Sequence, residues 1–238
     1  MGGRPPPAGI QAVFHALEER YGEPETGSED AFPVLIATIL SHRTNDDVTL
    51  PAARRLLTRY PDAQALAQAD PAQVEERIQG VGFYRNKTQA VIKAARHLLE
   101  HHDGRVPREE GAMLEIPWVG RKTMNCVKVY AFGEPVVAVD THVHRISNRL
   151  GWCDTGTPDE TEVVLDDMLD EAQKLAVNEL LVRFGREICR PIGPKCGDCP
   201  IAKLCPSRED REPEGLGEPE GRTMLARIAE RAGGEKGG

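Results

Sequence analysis

Apolar positions recur along most of this chain at three- and four-residue intervals, the spacing of one face of a helix. Ile10, Val13, Phe14 and Leu17 mark a helix over 10–21, stopped by Gly22. Residues 30–42 (DAFPVLIATILSH) are continuously apolar in their middle, which predicts a buried central helix. A helix is expected over 49–61, where Pro51 fits only in the first turn. Another is expected over 70–80, opened by Asp70 and Pro71 and closed by Gly80. Val91, Ile92, Ala95, Leu98 and Leu99 give a long helix over 83–102 its apolar face, ended by Gly104. Helices over 108–114, 120–132, 140–150, 160–169 and 172–188 complete the pattern. Residues 134–139 (EPVVAV) have the composition of a strand but no second run to pair with. The predicted class is all-α.

Composition narrows this further. At 238 residues the chain has material for one large domain or two small ones. No window approaches 18 apolar residues, so no membrane span is expected. The first ten residues lack the apolar region of a secretion signal, and a cytoplasmic location is expected. Under reducing conditions the six cysteines read as metal ligands or free thiols before disulfides. The formal charge of −8 argues against bulk attraction to DNA or an anionic membrane, although one positive face would suffice for DNA. Acidic residues gather in 158–171 and 208–220. Cations gather at Arg121 and Lys122, in 84–87 (YRNK), and from Arg183 through Lys203. Residues 207–221 are rich in Glu, Pro and Gly and are expected to be loosely held, with a short amphipathic helix over 222–232.

Three features carry candidate chemistry. Cys189, Cys196, Cys199 and Cys205 are separated by six, two and five residues among prolines and glycines. Those breakers stop a helix from spreading the thiols, so four sulfurs can converge on one centre. The spacing leaves zinc and iron–sulfur equally open. Cys126 reads as core. Lys122 stands in the first turn of a predicted helix, the end whose dipole disfavours a cation. It is either an ordinary surface lysine or an amine meant to be neutral. A neutral lysine at pH 7 lies roughly 4–5 kcal/mol above the ammonium form, and once formed it is a nucleophile able to attack a sugar C1′. The turn before it, with N–H groups at the helix start, is suited to an anion such as phosphate. Asp140 opens DTHVHR as a helix N-cap, or as a carboxylate placed to stabilise positive charge on a sugar ring. His142 and His144 read as structural.

Lysine 122, an aspartate eighteen residues on and the Cys-x6-Cys-x2-Cys-x5-Cys loop together resemble the endonuclease III family of DNA glycosylases. The likeness runs from about Phe32 to Cys205 through AFPVLIATILS, VGFYRNKTQAVI, GRKTMNCV, AFGEP and VAVDTHVHRISNR, in order. It implies a helix-hairpin-helix DNA glycosylase fold in two domains. One would be a six-helix barrel over 24–134 with the hairpin at 108–133. The other would be an iron–sulfur cluster domain from 1–23 and 135–206, with a DNA groove between them and 207–238 as an acidic, flexible tail. The resemblance assigns a [4Fe–4S] cluster to the four cysteines, the Schiff-base nucleophile to Lys122 and the essential acidic residue to Asp140.

DNA contacts would come from Arg43, Phe83, Trp118, Val119, Gly120, Arg121 and Lys195, with Arg190 and Lys203 near phosphate. The implied activity is removal of oxidised pyrimidines from duplex DNA by a monomer, then cleavage of the abasic strand by β-elimination. Two residues depart from the family pattern. Trp118 stands where its turn has glycine, a position needing φ > 0 in a type II turn. Either the turn changes type or strain is accepted. Arg43 replaces the usual glutamine at the place that fills the gap of a flipped base, which bears on lesion and opposite-base preference. Two other readings share the cysteine loop. An adenine mismatch glycosylase would lack the lysine that this chain has. A non-catalytic DNA-binding iron–sulfur protein would need neither Lys122 nor Asp140.

Overall fold

The computed structural model describes residues 9–24, 26–27 and 30–208, so the helix expected over 222–232 lies outside the described residues. Regular structure within them is helical. In chain order it comprises α1 (Ile10–Tyr21), α2 (Ala31–Ser41), α3 (Asp46–Arg59), α4 (Ala63–Ala67), α5 (Pro71–Ile78) and α6 (Tyr84–His102). These are followed by α7 (Glu110–Glu115), α8 (Arg121–Val127) continued by a π-helical turn (Lys128–Phe132), α9 (Thr141–Arg149), α10 (Pro158–Met168) and α11 (Glu171–Glu187). The described residues divide into two compact units, one formed by 9–24 with 135–208, the other by the described residues between them.

In the first unit α1 joins helices that follow it by more than a hundred residues. Phe14 and Leu17 bury against Val143, Ile146, Leu180 and Phe184, and Phe14 stacks on Trp152 with ring centroids 6.0 Å apart. Buried charge fixes the register of α1 on α11. Glu187 pairs with Arg20 and accepts from the Tyr21 hydroxyl at 2.7 Å, while Arg183 Nη1 donates to the Tyr21 carbonyl at 2.6 Å. Arg183 is therefore core, and the basic run starting there is less of a surface than its sequence implies. Helices α10 and α11 each start with a capping box, Thr157 with Glu160 and Asp170 with Gln173, which satisfies N–H groups that have no intrahelical partner. Residues 134–139 belong to neither helix nor strand. Instead Asn178 Nδ2 of α11 donates to the Ala138 carbonyl at 2.8 Å. One side chain does what a neighbouring strand would do.

In the second unit α2 is buried on every face from Ala31 to Leu40 except at Pro33. Helix α3 begins at Asp46, a turn earlier than expected, because the Asn45 side chain accepts from the Asp47 amide. Pro51 consequently sits in the second turn and costs the helix one early hydrogen bond. Helix α4 was not expected. Its five residues are too few to display a period, and Asp62 defines it by accepting from Ala65 N at 2.8 Å. Lys128 ties α7 to the π-helical turn through Glu110 at 2.7 Å and Glu134 at 3.1 Å. Where α2 ends, His42 Nε2 meets Thr123 Oγ1 of α8 at 3.0 Å.

That junction is pH-sensitive in a defined direction. Burial, then the charges of Lys122 and Lys87, push the His42 imidazole down to about 4 from 6.5. Between those two values the unfolded chain binds more protons than the folded one, so His42 weakens the fold as pH drops from 6.5 towards 4. An NMR titration of the His42 ring is expected to give a midpoint near 4. A midpoint at the ordinary histidine value would mean that the α2–α8 junction is open to water.

Candidate functional site

The hairpin is built from local rules. Glu109 caps α7 by accepting from Gly111 N at 3.0 Å and Ala112 N at 2.7 Å, which holds its carboxyl below the usual range. Helix α7 gives way to a turn closed by Val119 N donating to the Ile116 carbonyl at 3.0 Å. Pro117 and Trp118 are its central residues, and Trp118 has φ of 70°. The turn has kept its type and accepted the strain, about 1–2 kcal/mol for a side chain in the left-handed region. The indole is 50% exposed. The Val119 side chain is buried and its N–H closes the turn. Gly120 caps α8 with extended backbone, and a Cβ there would meet nothing within 4 Å. The fold itself does not demand glycine at this place. Arg121 is exposed and Lys122 half-buried in the first turn of α8, whose residues from Thr123 to Val127, Cys126 among them, are core.

Two other expected residues come together beside this element. Arg43 follows α2 and Phe83 precedes α6, and both have left-handed backbone, with φ of 53° and 56°. Phe83 is 66% exposed and Arg43 is exposed. The residue that sequence reasoning missed lies between them. Lys87, read as one of a surface group of cations, is 4% exposed. Its Nζ donates to the Leu40 carbonyl at 2.7 Å, the His42 carbonyl at 2.6 Å and Thr44 Oγ1 at 2.8 Å. Burial pushes this amine down to about 8, yet all three ammonium protons are committed, which removes it as a nucleophile. The signal was in the periodicity. Lys87 precedes Ala90, Val91, Ala94 and Leu98 at helical spacing, on the buried face of α6.

Asp140, in the first unit, does cap α9. Its Oδ1 accepts from His142 N and Val143 N, each at 2.8 Å, and both bonds fall on that one oxygen. The position of α9 is fixed by Gly185 of α11, where a Cβ would come within 2.5 Å of His142 Nδ1 and 2.9 Å of Ile146 Cδ1. Arg145 Nη2 then reaches His142 Nδ1 at 3.1 Å and the Cys189 carbonyl at 2.9 Å. Lys122 and Asp140 thus belong to different units.

Cys189, Cys196, Cys199 and Cys205 line one cavity, together with Ile146, Phe184 and Ile201. Burial pushes the Cys199 thiol up to about 12, and the other three thiols add to the shift, a measure of how closely the four are gathered. Donors are aimed at the sulfurs: Arg149 Nη1 lies 3.4 Å from Cys189 Sγ, and backbone N–H groups of Ile201 and Ser207 serve Cys199 and Cys205. Such hydrogen bonds suit thiolates bound to metal. Among the described residues no three His, Cys, Asp or Glu are placed to hold one metal ion. Four thiols lining one cavity, with N–H donors on their sulfurs, supply the donor set of a metal centre. Lys195 lines the same cavity, while Arg190 and Lys203 are exposed.

Residues 36–170 match the HhH-GPD superfamily of base excision DNA repair proteins. The endonuclease III of Thermotoga maritima is 44% identical over 82% of this chain and 90% of its own length. Among solved structures, a non-covalent endonuclease III–DNA complex superposes with a TM-score of 0.76 at 30% identity, covering 83% of this chain and 94% of that one. A trapped endonuclease III–DNA covalent intermediate, with an estranged adenine, superposes with a TM-score of 0.73 at 31% identity, covering 83% and 95%. With its left-handed hairpin turn, its lysine on α8 and its four-cysteine cavity, the chain belongs to the endonuclease III family of the HhH-GPD superfamily.

Proposed function

We propose that this chain, a base-excision-repair DNA glycosylase and AP lyase by family, removes oxidised pyrimidines from duplex DNA through a Schiff base on Lys122. The observation that carries the reading is the position of Lys122, half-buried in the first turn of α8 and two residues past a glycine with open space above it. A DNA backbone can approach Gly120 where a side chain would obstruct it. The neutral Lys122 amine attacks C1′, the bond from C1′ to the base breaks, and the base leaves with a proton. The C1′–O4′ bond then opens, O4′ taking up a proton, and the imine so formed acidifies the C2′ hydrogen. Its loss expels the 3′-phosphate, which cleaves the strand on the 3′ side. Asp140 stabilises the positive charge that develops on the sugar as the base departs.

Partner DNA is held, in this reading, by Trp118, Arg121 and Lys195 and by the backbone at Val119 and Gly120. Arg43 occupies the gap left by the extruded nucleotide and Phe83 wedges beside it. A [4Fe–4S] cluster would be held by Cys189, Cys196, Cys199 and Cys205. When bound it would cross-link the loop from residue 189 to 205, and the excision steps above do not call on it as a redox reagent. The protein acts as a monomer.

Three outcomes are expected. Borohydride added to the protein on a duplex with an abasic site traps a covalent adduct, and Lys122→Ala abolishes it; an adduct of undiminished yield in the variant moves the nucleophile elsewhere. Asp140→Asn keeps the cap, since asparagine is an equally good N-cap, and so leaves urea stability within about 0.5 kcal/mol while turnover drops by about two orders of magnitude or more. Asp140→Ala loses about 1 kcal/mol of stability as well. Parallel loss of DNA affinity and turnover in Asp140→Asn would reduce the carboxylate to a cap. Finally, purified protein should be brown and carry about four irons per chain. Stoichiometric zinc without iron would overturn the cluster assignment.

A further inference from the structure

Lys87 grips the chain on both sides of Arg43. Its Nζ holds the carbonyl of His42 and the hydroxyl of Thr44, as well as the carbonyl of Leu40 at the end of α2. The Thr44 hydroxyl also accepts from Gly82 N at 3.2 Å, immediately before Phe83. The two segments touch closely there, for a Cβ on Gly82 would stand 3.0 Å from Thr44 Oγ1 and 3.4 Å from the Arg43 carbonyl. Arg43 and Phe83 are both in the left-handed region, which non-glycine residues keep only where their surroundings over-determine it. Asp103, another non-glycine residue in that region, ends α6 in a C-cap whose neighbour Gly104 N donates to the Leu98 carbonyl at 2.9 Å, an ordinary reason to be there. Arg43 and Phe83 stand instead at the third position of tight turns, closed by Thr44 N on the Ser41 carbonyl and by Tyr84 N on the Val81 carbonyl, each at 3.1 Å. It is the packing of these two turns on each other that Lys87 and Thr44 fix.

We propose that Lys87 is a positioning residue for nucleotide extrusion, locking the segment that presents Arg43 to the turn that presents Phe83 so that both enter the duplex as one rigid unit. The inference rests on the reading of Arg43 and Phe83 given above. Stability alone is an incomplete reason for this lysine: with all three protons bonded the ammonium satisfies carbonyls that α2 leaves over, but replacement of such fully bonded charges by apolar side chains is often harmless. Rigidity is a better one. Side chains that must order on entering the base stack lose affinity for the distorted duplex, and a loop already fixed avoids that loss.

The test uses a duplex carrying an uncleavable tetrahydrofuran abasic analogue beside 2-aminopurine, whose fluorescence rises on unstacking. Borohydride trapping on a single-stranded abasic oligonucleotide, where nothing has to leave a stack, is the reference for chemical competence. In Lys87→Met the rate of unstacking is expected to drop at least fivefold more than the reference does. Thr44→Val, which removes only the shared acceptor, is expected to show the same bias at twofold or more and decides the matter if Lys87→Met fails to fold. Equal losses in both assays, or unchanged unstacking in the folded variants, overturn the proposal. Arg43→Ala and Phe83→Ala separate the two ideas. If they slow unstacking and the Lys87 and Thr44 variants do not, only the positioning role fails. If they leave unstacking unchanged, the reading of Arg43 and Phe83 fails and the proposal with it.

Discussion

Carbonyl oxygens left over at the buried ends of helices set the terms for this structure. An α-helix ends with carbonyls that have no intrahelical donor, and water cannot serve those that end inside a core. Here long donor side chains serve them. Lys87 takes the Leu40 and His42 carbonyls where α2 ends, and Arg183 takes the Tyr21 carbonyl where α1 ends. Beyond α11, Arg145 takes the Cys189 carbonyl, and at the surface Arg149 takes those of Arg190 at 2.6 Å and Pro191 at 3.0 Å. The bonds other than that of Arg183 also fix segments with a candidate role: the Arg43 segment by Lys87, the cysteine loop by Arg145 and Arg149. The requirement for hydrogen bonds and the placement of the site are met by the same side chains.

Fixed segments can hold strained ones. Left-handed backbone at Arg43, Phe83 and Trp118 costs on the order of 1 kcal/mol or more at each residue. At Trp118 the strain is held by a turn closed through Val119 N, with the Val119 and Ile116 side chains buried on either side of the exposed indole. At Arg43 and Phe83 it is held by the bonds through Thr44 and Lys87. In each case the constrained backbone is the mount and the exposed side chain is what it presents.

Periodicity made most helices legible, as did Asp140, the Lys122 turn and the cysteine loop. What it missed has common physical causes. Lys87 and Arg183 were read as surface because cations are usually exposed, yet each lies on the apolar side of its helix with backbone carbonyls for partners. Those partners are distant in sequence, so residue type outweighed position. Residues 134–139 have strand composition because Val137, Ala138 and Val139 are core, but Asn178, forty residues from Ala138, supplies the hydrogen bond. Helix α3 started early because one weak cap at Asn45 outweighed the warning given by Pro51. The choice at Trp118 between a new turn type and accepted strain could not be made from sequence, since burial of Val119 and Ile116 decides it.

Helix α9 shows how a carboxylate and a cysteine loop come to share one mount. Asp140 caps its N-terminus, and Arg149 at its last position reaches Cys189 Sγ and the carbonyls beyond it. Nine residues of helix span only about 13 Å, a length over which a helix behaves as a rigid rod. Gly185 lets that rod lie directly on α11, because a Cβ there would run into His142 and Ile146 of α9. A displaced cysteine loop therefore shifts the acceptors that hold one end of α9, while Asp140 rides on the other. The loop needs no chemistry of its own to matter for the carboxylate, because both ends answer to the same packing against α11.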